Sequence, residues 1–271
     1  MTRLFDQQWV LVTGASSGLG VEMARRLAER GAHLVLTARS RDRLEELAAD
    51  IGRVNGFETR VIVADLGQPG GAAELVAATR RLGVPIAHLV NNAGFGSAGA
   101  FVDLDAERES SMVELNVGAV VRLTRALLGP MITARQGGVL NVASTAAFQP
   151  VPYMATYGAT KAFVVSFTLA LASELEGSGV RAMALCPGPV YTGFQTAAGI
   201  ERPALPLAVL SPTRTVVRAL EAYERGERIY TPGLFNGVQT AAARMLPTSL
   251  STWLAKRTMH RLGRVRQLKG A

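Results

Sequence analysis

The chain has 271 residues, of which 48% are hydrophobic, with one cysteine, three histidines and a formal net charge of +8. This length fits one large α/β domain or two small ones, and the hydrophobic content excludes a disordered chain. One cysteine excludes an internal disulfide, and the distant histidines lack ligand spacing, so we predict no metal site. No uninterrupted apolar run reaches the roughly 18 residues that cross a bilayer. The first residues read as a strand rather than a signal, so we expect a cytoplasmic protein.

The positive charge is concentrated towards the C-terminus. Residues 228–271 contain eight basic residues and no acidic residue, which leaves 21 of the 29 basic residues to balance the 21 acidic ones. A nucleic-acid enzyme is expected to carry basic residues around its active groove. Because the main part of the chain is neutral, we predict no nucleic-acid partner.

Strand-like apolar runs alternate with helical patterns along most of the chain. In order, the predicted elements are strand 9–13, helix 20–30, strand 33–38, helix 42–51, strand 60–64, helix 72–81, strand 88–90, helix 106–134, strand 138–142, helix 157–176, strand 181–186, a helix from Ser211 or Thr213 to Tyr223, and strand 228–231. This alternation predicts one doubly wound α/β domain of Rossmann type over residues 1–233. Its mainly parallel seven-stranded sheet is expected to carry helices on both faces.

Two segments depart from the alternation. Residues 188–212 form an apolar stretch punctuated by prolines, and its length predicts a substrate lid. Residues 234–271 form a basic C-terminal extension, in which residues 249–262 place apolar groups at near-helical spacing beside cations. Such an amphipathic helix packs on its own domain, covers the substrate mouth, forms a subunit contact or, through residues 249–269, lies on an anionic membrane. The pattern leaves these four alternatives open.

A glycine-rich turn follows the first predicted strand and opens a helix. Gly14 permits a tight turn, while Gly18 and Gly20 allow the backbone to approach a pyrophosphate. The phosphates would then meet free N–H groups at the positive end of the helix. The strand, turn and helix together predict a dinucleotide site that consists of Gly14, Ser16, Ser17, Gly18, Leu19 and Gly20.

The residue after the second predicted strand indicates which dinucleotide is bound. NAD sites commonly place an acidic residue about 20 residues beyond the glycines. Here Arg39 occupies that region, and no acid lies between Glu29 and Asp42. A guanidinium can form bidentate hydrogen bonds to a 2′-phosphate, which a carboxylate would repel. The sequence therefore predicts NADP(H) in preference to NAD(H).

Tyr157 and Lys161 stand four residues apart in a predicted helix, thirteen and seventeen residues after Ser144. Residues at this spacing share one helix face. A phenol has a pKa near ~10, and a neighbouring ammonium is expected to lower it towards the working range. Such a pair suits proton exchange with an oxygen that becomes, or ceases to be, an alcohol.

Taken together, these residues resemble the short-chain dehydrogenase/reductase family. The match runs in order through most of the chain and consists of the glycine turn, Asp65-Leu66, Asn91-Asn92-Ala93-Gly94, Asn116, Ser144, Tyr157 with Lys161, and Pro187-Gly188 followed by Thr192. The resemblance implies that Asn116, Ser144, Tyr157 and Lys161 are catalytic. Asn116 is expected to kink its helix and hold a water linked to Lys161.

The resemblance also implies further cofactor contacts. Asp65 would hold the adenine amino group, and Leu66 would contact the ring through its backbone. The four residues of the next motif would line the cofactor trough and brace the central sheet, namely Asn91, Asn92, Ala93 and Gly94. The nicotinamide carboxamide would be met by Pro187, Gly188, Val190 and Thr192.

We therefore predict an NADPH-dependent oxidoreductase that acts on an apolar ketone, aldehyde or secondary alcohol. The residues expected near the pocket are apolar, namely Phe95, Phe101, Phe148, Met154 and Phe194. The alternative is a dinucleotide-binding sensor or scaffold without turnover, which would not need a complete proton path. Because residues 234–271 replace the short terminal segment that many relatives use in tetramers, we expect a homodimer or a monomer.

Overall fold

The computed structural model describes residues 4–190, 192–200 and 209–262, without the side chains of Asn55 and residues 260–262. Within these residues one sheet has seven parallel strands in the order β3-β2-β1-β4-β5-β6-β7. The strands are β1 Trp9–Thr13, β2 His33–Ala38, β3 Thr59–Val63, β4 Ile86–Asn91, β5 Gly138–Val142, β6 Arg181–Leu185 and β7 Ile229–Tyr230. The order reverses between β1 and β4, which creates a crevice at the carboxyl ends of the strands.

Helices connect the strands and continue beyond the last one. They are α1 Gly18–Ala28, α2 Arg41–Asn55, α3 Gly71–Arg81, α4 Ala106–Val113, α5 Ala119–Ala134, α6 Ala155–Glu174, α7 Phe194–Ala197, α8 Pro212–Glu224, α9 Leu234–Met245 and α10 Thr248–Leu262. A π-helical turn, Glu114–Gly118, joins α4 to α5. Short 3-10 helices cover Phe101–Asp103 and Thr145–Phe148.

The strand β1 shows why the sheet is covered on both faces. Val10 and Val12 pack in one core with Leu27 of α1, whereas Leu11 packs in the opposite core with Leu123 of α5. Successive side chains of a strand point to opposite faces. A parallel strand buried on both faces is therefore apolar along most of its length, as β1 is from Trp9 to Val12.

Buried amides cross-link the middle of the sheet to its helices. Asn91 of β4 donates hydrogen bonds to Asn141 of β5 at 2.8 Å and to Thr124 of α5 at 3.3 Å. Asn141 in turn donates to Thr168 of α6 at 2.9 Å. Buried polar groups that satisfy one another in this way rigidify a core. The arrangement agrees with the bracing expected of Asn91.

Among the residues that the structure describes, two stretches, Ala106–Ala134 and Ala155–Glu174, are long and apolar enough to cross a membrane by length and composition alone. In the structure both belong to the helical layer: α5 packs on β4 and β5, and α6 packs on β5 and β6. Helices packed in a protein core can pass the same composition test, so the two stretches are weak evidence of a membrane span.

The doubly wound fold predicted from the sequence is confirmed, with element ends that differ by a few residues. The predicted helix 106–134 contains the π-helical turn, and α9 is an additional helix within the predicted extension. The boundary at residue 233 stays a prediction. Of the predicted lid, Tyr191 and residues 201–208 lie outside the described residues. Its described ends meet where Leu210 N–H donates to the Pro189 carbonyl oxygen at 3.1 Å.

Candidate active site

The predicted site residues gather at the carboxyl ends of the central strands. The glycine turn follows β1, Asn92 follows β4, Ser144 follows β5 and Pro187 follows β6. Ligands of open parallel sheets bind at this edge, where the strand order reverses. The topology therefore brings together residues that are far apart in the sequence.

The glycine turn is held tightly against the segment that follows β4. Gly14 has a φ of +66°, and a Cβ there would lie 2.8 Å from the Ala93 Cα. A Cβ on Gly20 would lie 2.1 Å from the Gly14 carbonyl oxygen. The side-chain amide of Asn92 donates to the carbonyl oxygens of Thr13, at 2.9 Å, and Gly14, at 3.2 Å. The Asn92 amide thus fixes the shape of the turn.

The start of α1 leaves donors for an anion. Ser17 precedes the helix and its side chain makes no capping hydrogen bond, while the first turn contains no acidic residue. The first N–H groups of a helix lack partners within the helix and carry a partial positive charge. Gly18 faces Thr192, whose Cγ2 would lie 3.3 Å from a Cβ at that position. Ser16 and Leu19 are half-buried beside this turn.

Arg39, Asp65 and Leu66 follow the neighbouring strands β2 and β3. Arg39 is exposed and forms no salt bridge with a described residue. Asp65 is half-buried and accepts a hydrogen bond from the Gly67 N–H at 3.0 Å, so part of this carboxylate stabilises its own turn. Leu66 is buried in the core beneath.

Asn116 lies in the π-helical turn and is 1% exposed. Its amide nitrogen donates to the Phe95 carbonyl oxygen at 3.0 Å and to the Thr160 hydroxyl at 3.1 Å, and its oxygen accepts from the Phe95 N–H at 3.3 Å. A Cβ on Gly94 would lie 3.0 Å from the Asn116 oxygen and 3.4 Å from the Lys161 Nζ. The glycine thus brings both polar groups close to the same backbone segment, and the helix irregularity expected at Asn116 is present.

Ser144 and Tyr157 are joined by a side-chain hydrogen bond. Ser144 caps the 3-10 helix that follows β5, and its hydroxyl accepts from the Ala146 N–H at 3.1 Å. Tyr157 lies in the first turn of α6 and is 7% exposed. Burial raises the pKa of Tyr157 to about 12, and the hydrogen bond with Ser144 opposes that rise. The expectation that the phenol pKa is lowered in this site is therefore wrong for the structure.

Lys161 lies one helical turn beyond Tyr157 and is also buried. Its Nζ donates to the Val142 carbonyl oxygen at 2.8 Å and lies 5.8 Å from the centre of the Tyr157 ring. Burial lowers the pKa of Lys161 to about 8, while the nearby Cys186 opposes this. Burial also raises the pKa of the Cys186 thiol to about 12, so this cysteine is a neutral packing residue.

Tyr157 belongs to an apolar cluster. Its buried members are Met112, Met154, Tyr157 and Met259, and its half-buried members include Phe95, Tyr153, Phe194 and Ile200. The rings of Tyr157 and Phe194 are 5.3 Å apart between centroids. Of the aromatic residues expected here, Phe148 instead lies beside Arg244 of α9, and Phe101 is exposed.

Two residues of the C-terminal helices approach the site and were missed by the sequence analysis. Met259 of α10 belongs to the cluster around Tyr157. Asn236 of α9 is 1% exposed, and its amide nitrogen would lie 2.5 Å from a Cβ on Gly188. The spacing of the buried positions Ser251, Ala255 and Met259 could have indicated the inward face of α10. No comparable signal marks Asn236.

The model of the short chain dehydrogenase family matches residues 8–202. The chain belongs to this family. The Very-long-chain 3-oxoacyl-CoA reductase of Anas platyrhynchos is 35% identical to this short-chain dehydrogenase over 188 residues, which are 68% of this chain and 60% of the reductase. The match thus spans less than two thirds of that reductase.

Two solved structures resemble this short-chain dehydrogenase over nearly its whole length. A short-chain dehydrogenase from Sphingobium yanoikuyae in complex with NADPH has a TM-score of 0.80 and 33% identity, and covers 97% of this chain and 98% of that one. The bulky-bulky ketone specific alcohol dehydrogenase from Comamonas testosteroni has a TM-score of 0.75 and 31% identity, with 98% of both chains covered. Both cover more of the chain than the family model does.

The crevice of this short-chain dehydrogenase fits a nicotinamide dinucleotide. The uncapped start of α1 offers backbone donors to phosphates, and Gly18 and Gly94 keep the backbone free of side chains beside Thr192 and Lys161. The buried Tyr157 and Lys161 lie at the same edge of the sheet. A dinucleotide needs helix N–H groups for its pyrophosphate, glycines where the backbone passes close to it, and polar side chains for its nicotinamide ribose, and these features supply all three.

Proposed function

We propose that this short-chain dehydrogenase is an NADPH-dependent oxidoreductase of apolar ketones, aldehydes or the matching secondary alcohols. The observation that carries the proposal is the meeting of Ser144, Tyr157 and Lys161 at one edge of the sheet, beside an apolar cluster. A non-catalytic sensor would need the glycine turn but not a buried, hydrogen-bonded phenol and ammonium.

In the reductive direction, bound NADPH supplies a hydride to the carbonyl carbon. Ser144 donates a hydrogen bond to the carbonyl oxygen and stabilises the negative charge that develops there. Tyr157, protonated because burial holds its pKa well above neutral pH, gives its proton to that oxygen as the general acid. In the oxidative direction the phenolate accepts the alcohol proton.

Lys161 and Asn116 support this proton transfer. The Lys161 ammonium is held by the Val142 carbonyl oxygen, which leaves its other two N–H donors for ribose hydroxyls and water. Asn116 holds the Phe95 backbone through two hydrogen bonds. Its side-chain oxygen and the Lys161 Nζ both lie close to Gly94. We propose that a water held there by Asn116 returns protons to the site through Lys161.

The preference for NADP(H) is proposed from Arg39. This guanidinium is exposed at the end of β2, next to the glycine turn after β1, and is not engaged by a described carboxylate. Its fork geometry matches the oxygens of a phosphate ester. The similar enzyme of Sphingobium yanoikuyae was solved with NADPH. The remaining parts of the cofactor are proposed to be contacted by Asp65, Leu66, Pro187, Gly188, Val190 and Thr192.

The substrate class is proposed from the cluster around Tyr157. Its methionines and aromatic rings offer dispersion contacts to an apolar substrate. The similar alcohol dehydrogenase of Comamonas testosteroni is named as specific for bulky ketones, which supports this choice. We therefore propose a carbonyl flanked by bulky apolar groups. The homodimer or monomer, the absence of a nucleic-acid partner and the cytoplasmic location stay predictions.

The proposal is tested with a panel of carbonyl compounds and both reduced cofactors. Loss of cofactor absorbance is followed for bulky aromatic ketones, small ketones and polyhydroxylated ketones. We expect turnover with NADPH, higher kcat/KM for the bulky apolar ketones, and little activity with NADH. Cofactor binding, followed by fluorescence, without turnover of any carbonyl or alcohol would instead support a sensor or scaffold.

A further inference from the structure

The helix α10 buries one face against the protein and leaves an apolar face exposed. Ser251, Ala255 and Met259, spaced four residues apart, are buried against the protein, and Met259 reaches the cluster at Tyr157. Leu250, Trp253, Leu254 and Arg257 lie on the opposite side of the helix, because residues three, four and seven apart share a face. We call these four residues the outer face of α10.

The outer face of α10 is exposed although it is mainly apolar. Leu250 is 43% exposed, Trp253 53% and Leu254 42%. Met245, the last residue of α9, is 87% exposed. A helix that lies on its own domain usually turns polar residues outward. A contiguous apolar surface of this kind marks a contact with another molecule or with a membrane.

The two described charged side chains of α10, Lys256 and Arg257, are both cationic. Arg257 stacks over the Trp253 ring at 5.5 Å, and Lys256 lies at the edge of the face. From residue 228 to residue 271 the sequence contains eight basic residues and no acidic one. Aromatic and aliphatic side chains beside a cluster of lysine and arginine are the combination that binds anionic lipid surfaces.

We propose that the outer face of α10 docks this enzyme on an anionic membrane surface. Leu250, Trp253 and Leu254 would enter the boundary between headgroups and acyl chains, while Lys256 and Arg257 would pair with lipid phosphates. A second copy fits less well, since a two-fold contact sets the same surface against itself and opposes cations with cations. Nucleic acid fits less well because its interfaces are polar, whereas this face is largely aliphatic.

Vesicle flotation of the whole protein tests the proposal. The probes are vesicles of phosphatidylcholine alone and vesicles of phosphatidylcholine and phosphatidylglycerol in equal amounts. We expect the protein to float with the second kind and to remain in solution with the first, and we expect raised salt to weaken the binding. Because flotation uses no substrate, its outcome is independent of the proposed activity.

Paired variants locate the contact. Lys256→Gln/Arg257→Gln removes two charges from the edge of the face and should weaken the vesicle partition coefficient by roughly thirtyfold. The charge-matched control is Arg80→Gln/Arg81→Gln on α3, which lies in the neutral part of the chain and should bind as the unaltered protein does.

Leu250→Ser/Leu254→Ser should weaken binding by about tenfold or more. Its control is Val113→Ser/Ile132→Ser, at positions of similar exposure.

Several outcomes would overturn the proposal. Protein that stays in solution with the anionic vesicles removes the membrane as partner. Equal binding by all four variants places the contact elsewhere. If sedimentation shows a dimer that Leu250→Ser/Leu254→Ser alone dissociates, the face belongs to a subunit contact. Tighter binding to a single-stranded oligonucleotide than to the vesicles would assign the face to nucleic acid. Circular dichroism melting checks that each variant is folded.

Discussion

The Nζ of Lys161 lies 5.8 Å from the centre of the Tyr157 ring while it donates a hydrogen bond to the Val142 carbonyl oxygen at 2.8 Å. The ammonium is therefore anchored to β5 rather than bonded to the phenol. Burial raises the pKa of Tyr157 to about 12 and lowers that of Lys161 to about 8. At neutral pH the site thus holds a protonated phenol beside an ammonium, which is the arrangement needed to give a proton to a reduced carbonyl.

Replacing Tyr157 by phenylalanine tests the role of the phenol. The ring and its packing against Phe194 are retained, but no proton is available, so we expect kcat to fall by about a thousandfold or more. Binding of NADPH, measured by fluorescence titration, should change little. Tyr230→Phe, a half-buried tyrosine on β7, is the matched control and should keep full activity. Tyr157→Phe with ordinary turnover would remove the phenol from the mechanism.

The two directions of the reaction should depend differently on pH. Reduction needs the protonated phenol, whose pKa of about 12 keeps it protonated throughout the neutral range. The Lys161 ammonium, with a pKa of about 8, loses its charge above that pH and no longer stabilises the developing oxyanion. We therefore expect kcat/KM for reduction to be flat below pH ~8 and to fall above it, since charge stabilisation is lost.

Oxidation needs the phenolate, so its kcat/KM should rise as pH increases from neutral. The positive charge of an oxidised nicotinamide favours the phenolate and moves this rise towards lower pH. Initial rates in both directions over the same buffers check the pair of profiles. Reduction that accelerates above pH ~8 would contradict the assignment of Tyr157 as the acid and Lys161 as its cationic support.

Removal of the Arg39 guanidinium should relax the choice of cofactor. Hydrogen bonds to charged groups contribute about 1.5–3 kcal/mol, so Arg39→Ala should reduce the NADPH-to-NADH ratio of kcat/KM by roughly tenfold to a hundredfold. The loss should appear in KM for NADPH, with NADH little affected. The control is Arg53→Ala, which removes a guanidinium from the last turn of α2, the helix that follows Arg39 in the chain. A ratio that stays constant in Arg39→Ala would place the 2′-phosphate contact on another residue.

The glycine turn and the catalytic spacing were readable from the sequence because their chemistry is local. A turn that brings Gly20 within contact of Gly14 admits only glycine, and residues four apart in a helix share a face whatever surrounds them. The pKa of Tyr157 was not readable. Its direction depends on how deeply the surrounding elements bury the ring, and that depth is a property of the packed structure.

The contribution of α9 was also beyond the sequence pattern, and the pattern left the placement of α10 open among four alternatives. Asn236 meets Gly188, and Met259 meets the Tyr157 cluster, across separations of 48 and 102 residues in the chain numbering. The basic composition of residues 228–271 indicates an exposed charged surface but does not indicate which residues are buried. Which side of an amphipathic helix faces the protein is decided by tertiary packing, which overrides a weak local preference.

Met259 should set the size of the substrate that fits beside Tyr157. Met259→Ala removes a buried side chain from the cluster, so we expect kcat/KM for the bulkiest ketones to rise relative to small ones by about tenfold. The cavity should also lower the unfolding free energy by about 2–5 kcal/mol. Met245→Ala makes the same chemical change at an exposed position and is the control. Unchanged substrate ratios in Met259→Ala would show that α10 does not border the substrate.

A buried histidine at the far end of the sheet should make stability depend on pH. His88 is 2% exposed, bonds through Nδ1 to the Tyr223 hydroxyl at 2.9 Å and packs on Phe5. Burial, assisted by the charge of Arg181 and opposed by a hydrogen bond with the Leu4 backbone, lowers the pKa of His88 to about 4. Above pH ~6.5, its unfolded value, the imidazole is neutral in both states.

As the pH falls from ~6.5 to ~4, the unfolded chain binds a proton at His88 that the folded protein excludes, so stability is lost in this window. A shift of this size corresponds to roughly 3 kcal/mol. Urea unfolding at pH 7 and pH 4 should therefore show a smaller difference for His88→Gln than for the unaltered protein, by about that amount. His33→Gln removes another imidazole, at a half-buried position on β2, and is the control. An undiminished pH difference in His88→Gln would mean that other groups carry the acid sensitivity.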